Sequence, residues 1–270
     1  MHPQASASVT RPAVDSSSDA VTLCLQPFES SERYARFSSL ADAAHAQDPT
    51  PASDGTSRRH AQVYHARVLH WSRRLCAQEP AQRPSEALLL ASQTQHILRF
   101  TRPRDTFPAG RAGYLRWRRE MYTFHAEHAA GLMRQAGYTH DADDELVGRV
   151  KELVSKQGLS AAINKDAKET GEGAAAASDE DELRLLEDAV CVTFLELEYD
   201  AFVRKMLDSS DTSAEEEDKL VQVVRRTWRK MGPRGRHAAG QLLASSSPHE
   251  GADDSRSRDI LMKALAEPDA

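Results

Sequence analysis

Apolar residues recur along this chain at spacings of three and four, the period of one face of a helix. Between Glu29 and His45 the apolar positions are Tyr34, Phe37, Leu40 and Ala44; between Arg59 and Cys76 they are Tyr64, Val68, Trp71 and Leu75. Pro84-Ser85-Glu86 is a start signal, with Ser85 suited to cap the helix that begins EALLLASQTQHIL. Pro103 and Pro108 then interrupt the chain, Gly110 and Gly113 bracket a turn, and a long helix is predicted from about Tyr114 to Ala136, closing near Gly137. Another is predicted over Asp143–Lys156, ending at Gly158, with Asp143, Asp144 and Glu145 suited to the positive end of its dipole. The most apolar stretch, 183–207, reads as one central helix; 216–231 follows, then short helices near 234–243 and 258–266. No stretch alternates as a strand does and no internal repeat appears. The pattern predicts an all-α, single-domain helical bundle.

Composition trims this picture at the edges. Of 270 residues, 40% are hydrophobic and 28% charged, and the mean hydropathy is -0.60, polar enough to expect segments outside the core. The stretches 166–182, 208–218 and 245–258 are acidic and small, without apolar period. The expected organisation is a disordered tail at 1–27 and an all-α domain at 28–243, with low-complexity insertions at 166–182 and 208–218. A flexible tail with a short helix follows at 244–270. Residues 1–20 lack the apolar run of a signal peptide, and no run approaches the roughly 20 apolar residues of a membrane helix. Cys24, Cys76 and Cys191 make no metal or disulfide pattern, which favours a reducing compartment. A cytoplasmic location is expected, and nothing in the sequence argues against the nucleus.

The formal net charge of -6 predicts no nucleic-acid partner for the chain as a whole, but the acidic segments carry most of the excess. Against that background, residues 99–119 stand out. Arg99, Arg102, Arg104, Arg111, Arg116, Arg118 and Arg119 face one acid, Asp105, with Phe100, Phe107, Tyr114 and Trp117 among them. Guanidinium groups grip phosphates and carboxylates bidentately, and aromatic rings stack on bases. Arg99, Arg102, Arg104, Arg111, Tyr114, Trp117 and Arg118 are therefore the candidate ligand-binding set. Pairing of these arginines with the acidic helix around 187–200 is the plainer alternative.

Common cofactor and hydrolase motifs are absent. What remains is His96 late in an apolar helix, His125 and His128 one turn apart in FHAEH, and Glu187-Asp188 in the most apolar helix. Buried carboxylates are costly unless paired, protonated or metal-bound, so Glu187 and Asp188 ask for partners. Each also has a bland reading: a satisfied core histidine, a solvated helix pair, an acid facing water.

The order of Asp48-Pro49, QVYHARVLHW, SEALLLASQTQHILRF, RPRDTFPAGRAGYLRWRREMYTFHAEHA, LEDAVCVTFLELEYDAF and VRRTWRKM, from about residue 36 to 243, resembles the domain-of-unknown-function family numbered 4202. Its members are often labelled glutamyl-tRNA synthetase. A class I synthetase needs a nucleotide-binding parallel sheet and a HIGH-type motif, and this chain predicts neither; Lys230-Met231-Gly232 only echoes a KMSKS loop.

A more distant likeness is to HD-domain phosphohydrolases, in which His and Asp side chains from separate helices hold a divalent metal that activates water. That resemblance implies a divalent metal held by His96, His125 and Asp188, with His65 as a loosely aligned early histidine; Glu187, from the buried-acid pattern, joins them as a catalytic candidate. Ile97 stands where the paired aspartate belongs, which implies an altered or inactive site. Three functions follow as expectations. The first is a degenerate HD-like metal-dependent phosphohydrolase acting on a nucleotide or other phosphoester, with the arginines holding phosphate. The second is a non-enzymatic module binding a nucleotide or RNA. The third is a helical interaction protein without a ligand. The oligomeric state is not legible.

Overall fold

The computed structural model describes residues 25–78, 83–166, 179–207, 214–245 and 252–266. Residues 1–24 of the tail expected at 1–27, with 167–178 and 208–213 of the insertions expected at 166–182 and 208–218, lie outside them. Among the described residues the chain is all-α, with no strand and one isolated bridge between Pro51 and Arg59.

The first three helices are α1 (Glu32–His45), α2 (His60–Cys76) and α3 (Glu86–Thr94). Ser31 Oγ accepts the Tyr34 N–H at 3.3 Å, and Ser85 Oγ accepts the Leu88 N–H at 3.0 Å, as the Pro84-Ser85-Glu86 signal predicts. Helix α2 takes its cap from afar: Asp48 Oδ2 accepts the Ala61 N–H at 3.0 Å while Oδ1 holds Thr50 N–H at 2.9 Å. Helix α3 is buried from Ala87 to Thr94, because EALLLASQT is apolar on every face. Its polar members satisfy themselves inside, Ser92 on the Leu88 carbonyl at 2.7 Å and Thr94 on Leu90 at 2.9 Å.

Helix α4 (Gly110–Ala136) begins a turn earlier than the pattern predicts. Gly113 is not part of a preceding turn; it lies in the first turn of α4 against the Pro108 carbonyl, where an added Cβ would come within 1.9 Å of the oxygen. Helices α5 (Asp144–Ser155) and α6 (Leu159–Asp166) follow, and α6 carried no sequence signal strong enough to be expected. The single helix expected over 183–207 is two, α7 (Asp179–Leu197) and α8 (Tyr199–Leu207), separated at Glu198 although its N–H still reaches the Phe194 carbonyl at 3.0 Å. The remaining helices are α9 (Ala214–Lys230), α10 (Pro233–Ser245) and α11 (Ala252–Ala266), so 179–182 and 214–218, placed in insertions by composition, are helical.

Helix α2 lies along α7 and α4 along α5, with α3 between α2 and α5 and α10 on α7. Helix α11 buries Ile260, Leu261 and Ala264 against α9 and α8, and Tyr199 Oη donates to the Ser257 carbonyl at 3.0 Å. One apolar cluster therefore runs from Tyr34 to Ala264, past the expected boundary at 243. Burial of that cluster is the main term holding the bundle together.

Candidate functional site

The site grows from the end of α3. After Gln95 the chain turns tightly, Ile97 is fully buried, and Leu98 adopts a left-handed conformation at φ 53° that turns the chain toward Arg99. That turn sets His96 and Ile97 against two other helices. The His96 N–H donates to His65 Nε2 of α2 at 3.2 Å, and His125 Nδ1 of α4 donates to the Ile97 carbonyl at 2.7 Å. His96 and His125 thereby converge, with ring centroids 5.8 Å apart. Ile97, the departure from an HD pair, is the apolar anchor of the turn.

The hydrogen bonds fix the tautomers. His65 Nδ1 donates to the Ala61 carbonyl at 2.7 Å, so its Nε2 is the acceptor for His96 N–H. His125, with Nδ1 as donor, keeps Nε2 as a lone-pair acceptor. The half-buried His96 imidazole makes no side-chain hydrogen bond to a described residue; it lies between Tyr64, 5.7 Å away, and His125. Burial is the main force keeping all three imidazoles neutral: His65 and His96 are pushed well below the ordinary histidine range, and His125 down to about 3. Arg99 and Lys156 add to it at His96 and His125, since a nearby cation disfavours a second positive charge.

Beside the histidines lies a charge cluster. Lys156, at the end of α5, is the other left-handed residue that is not glycine, at φ 57°. Its Nζ donates to Glu187 Oε2 of α7 at 2.5 Å, and Lys230 Nζ stands 3.7 Å from Oε1. Burial alone would raise the Glu187 carboxyl, but Lys156, Lys230 and Arg118 outweigh it and hold the group below its ordinary value. Lys156 is in turn held above its ordinary value by Glu187 against its own burial. Arg99, Arg118, Lys156 and Lys230 thus surround one carboxylate and neutral imidazoles. The surplus is positive.

Asp188, adjacent in sequence, has a different job. Its Oδ1 accepts Gly232 N–H at 2.8 Å and Oδ2 accepts Gly235 N–H at 3.0 Å, capping α10. An added Cβ on Gly235 would fall 2.5 Å from Asp188 Cγ, so the glycine is required for the cap. Burial raises the Asp188 carboxyl to about 6 despite both donors.

The carboxylates, not the imidazoles, are the groups already committed. Both oxygens of Asp188 are taken by backbone N–H groups and Glu187 is neutralised by lysines, while His125, donating Nδ1–H to the Ile97 carbonyl, still has its Nε2 lone pair to offer. Among the described residues no three His, Cys, Asp or Glu side chains come together as a metal set. Asp188, with both oxygens capping α10, is the member of the expected His96, His125 and Asp188 set that does not fit a divalent ion.

The arginines divide. Arg99 lies over the Trp117 ring, 5.0 Å from its centroid, and faces His96 and His125. Arg118 donates to Tyr122 Oη at 2.5 Å and faces Glu187. Arg104 points elsewhere: it ties the loop by donating to the carbonyls of Phe107, Pro108 and Gly110 at 3.0, 2.8 and 3.2 Å. Arg102 and Arg111 are exposed, the former stacked on Phe124 at 4.4 Å while its carbonyl accepts Trp117 Nε1 at 3.0 Å. Tyr114 stands 6.0 Å from Trp117 and is 44% exposed.

Sequence reasoning missed Lys156 and gave Lys230 no role in the site. Neither belongs to an apolar pattern, and the only available signal was Lys156 standing before Gln157-Gly158 at a helix end, where a cation suits the dipole.

A family model described as "Domain of unknown function (DUF4202)" matches residues 35–250, most of the chain. No curated protein and no solved structure matches it.

Proposed function

The chain belongs to the DUF4202 family, and we propose that this member binds a phosphate-bearing small molecule at the cationic cluster that Arg99, Arg118, Lys156 and Lys230 form around His96, His125 and Glu187. The observation that carries the reading is charge. Arg99 and Arg118 have no carboxylate ion pair among the described residues, while Lys156 and Lys230 share a single one, Glu187. A group of cations with surplus charge favours an anion, and guanidinium forks match phosphate oxygens. The half-buried His96 imidazole, without a side-chain hydrogen bond, stands where it can donate to the same anion. His125 Nε2 is a lone-pair acceptor beside it, suited to a ligand hydroxyl.

Backbone strain supports the same location. Leu98 and Lys156 are the two left-handed residues other than glycine among those described, and each brings a cation to this cluster, Arg99 and Lys156 itself. Such conformations cost about 1–3 kcal/mol and cluster at ligand sites. Because His96, His125 and Asp188 do not form a metal set, the reading is a binding module rather than the metal-dependent phosphohydrolase of the HD likeness. Thermal unfolding with inorganic phosphate, pyrophosphate, ribose 5-phosphate and nucleotides tests it. At least one should raise the melting temperature in a concentration-dependent way; a flat response to all of them overturns it.

One observation favours RNA as a second ligand. Arg102, Arg111, Arg116 and Arg119 are exposed around Tyr114 and the 50% exposed Leu115, a charged surface with an available ring. A single-stranded oligoribonucleotide should then bind with an affinity that falls steeply with salt.

A further inference from the structure

A second polar site lies away from the cationic cluster, between α1, α2 and α3. Here a cavity of about 120 Å³ is lined by Ser38, Asp42, His45, Arg58, Gln62 and Gln93 among others. At its floor, His45 Nε2 donates to the Gln93 carbonyl at 2.8 Å, which fixes Nδ1 as an acceptor. That Nδ1 is buried and has no hydrogen-bond partner, although the residue is only 3% exposed. A buried polar atom left unpaired requires an explanation, and the usual one is a water or a ligand. The ring itself is immobilised by stacking on His65, centroid to centroid 3.8 Å and nearly parallel at 10°.

The mouth holds opposite charges that do not pair with each other. Asp42 Oδ2 accepts Gln62 Nε2 at 3.0 Å, and Arg58 Nη2 donates to the Gln62 carbonyl at 3.1 Å. Gln62 therefore pins a carboxylate and a guanidinium to one rim, and no ion pair joins them. The cavity would hold about four waters, or one molecule the size of a small amino acid.

We propose that this cavity binds a small α-amino-acid zwitterion, its ammonium on Asp42 and His45 Nδ1 and its carboxylate on Arg58. A simple cation would leave Arg58 unanswered and a simple anion would leave Asp42 and the lone pair of His45 unanswered. A zwitterion meets all three at once. The site does not depend on the phosphate-binding reading, since the two share no ligand-contacting residue.

The test is nitrogen-detected NMR of protein labelled in its histidine rings, titrated with glycine, alanine and serine, with methylammonium and acetate as half-ligands. At least one amino acid should shift the His45 Nδ1 resonance, identified by its loss in His45→Phe, and neither half-ligand should match it at equal concentration. Asp42→Asn and Arg58→Gln, at the exposed rim, should each weaken binding at least tenfold, while Arg99→Gln leaves it unchanged. No shift with any amino acid overturns the proposal, because water alone then fills the cavity. A shift that survives undiminished in both rim variants overturns it as well.

Discussion

Lys156 and Glu187, 31 positions apart, form an ion pair at 2.5 Å with side chains 11% and 3% exposed. It joins the end of α5 to the buried acidic position of α7. Removing one partner of such a pair leaves a buried charge, which costs far more than the pair contributes. Lys156→Met should therefore destabilise the protein by about 3 kcal/mol, read from the urea midpoint. The double variant Lys156→Met, Glu187→Leu should recover much of the loss. If the single variant is as stable as the parent, Lys230 at 3.7 Å is sufficient for Glu187.

Acid should weaken the fold through its histidines. His45, His65, His96 and His125 are all held below the ordinary histidine value, chiefly by burial. As pH falls below about 6.5 the unfolded chain takes up protons there that the folded chain refuses, so stability drops, by up to about 1.4 kcal/mol per pH unit for each such group. Asp188 works the other way: its carboxyl, raised to about 6, favours the folded state as pH falls from 6 toward 4. His60, held above its ordinary value by its hydrogen bond to Glu198, works with Asp188. Four groups against two set the net sign. The urea midpoint should be lower at pH 5 than at pH 7; an equal or higher value would mean that the imidazoles are solvated.

Asp188 should behave as a cap. Asp188→Ala strands the Gly232 and Gly235 N–H groups and should cost about 2 kcal/mol in melting experiments, and Gly235→Ala, by crowding Asp188, about 1–3 kcal/mol. Asp188→Asn keeps the shape and one strong acceptor, so phosphate-ligand affinity should stay within threefold of the parent. A tenfold loss would return Asp188 to the ligand site.

Arg104 and Arg99 should separate cleanly. Arg104→Gln removes the tie to Phe107, Pro108 and Gly110, and should speed proteolysis of the 103–110 loop without altering ligand affinity. Altered affinity in that variant would place the loop in the site.

Helices were legible because their apolar spacing is local, as at Tyr64, Val68, Trp71 and Leu75. The limits came from effects that spacing does not carry. Gly113 reads as a turn because the close approach of Pro108 is not visible in a pattern, and the helix expected near 258–266 reads as part of a flexible tail because Ile260, Leu261 and Ala264 are few among acids and serines. At the site, His96 with His125 was legible as polar residues on apolar helices. The division of labour between Glu187 and Asp188 was not, since two adjacent acids look alike until Lys156 and Gly235 arrive from elsewhere in the chain.

Isothermal titration of pyrophosphate, or of the best ligand from the thermal screen, into parent, Arg99→Gln and Arg116→Gln protein is the most direct measurement. Arg99 faces His96 and His125, whereas Arg116 pairs with Glu120 at 2.8 Å on the outer face of α4. Affinity should fall at least tenfold in Arg99→Gln and stay within twofold in Arg116→Gln. Equal binding by all three proteins would contradict the account and move the ligand away from His96 and His125.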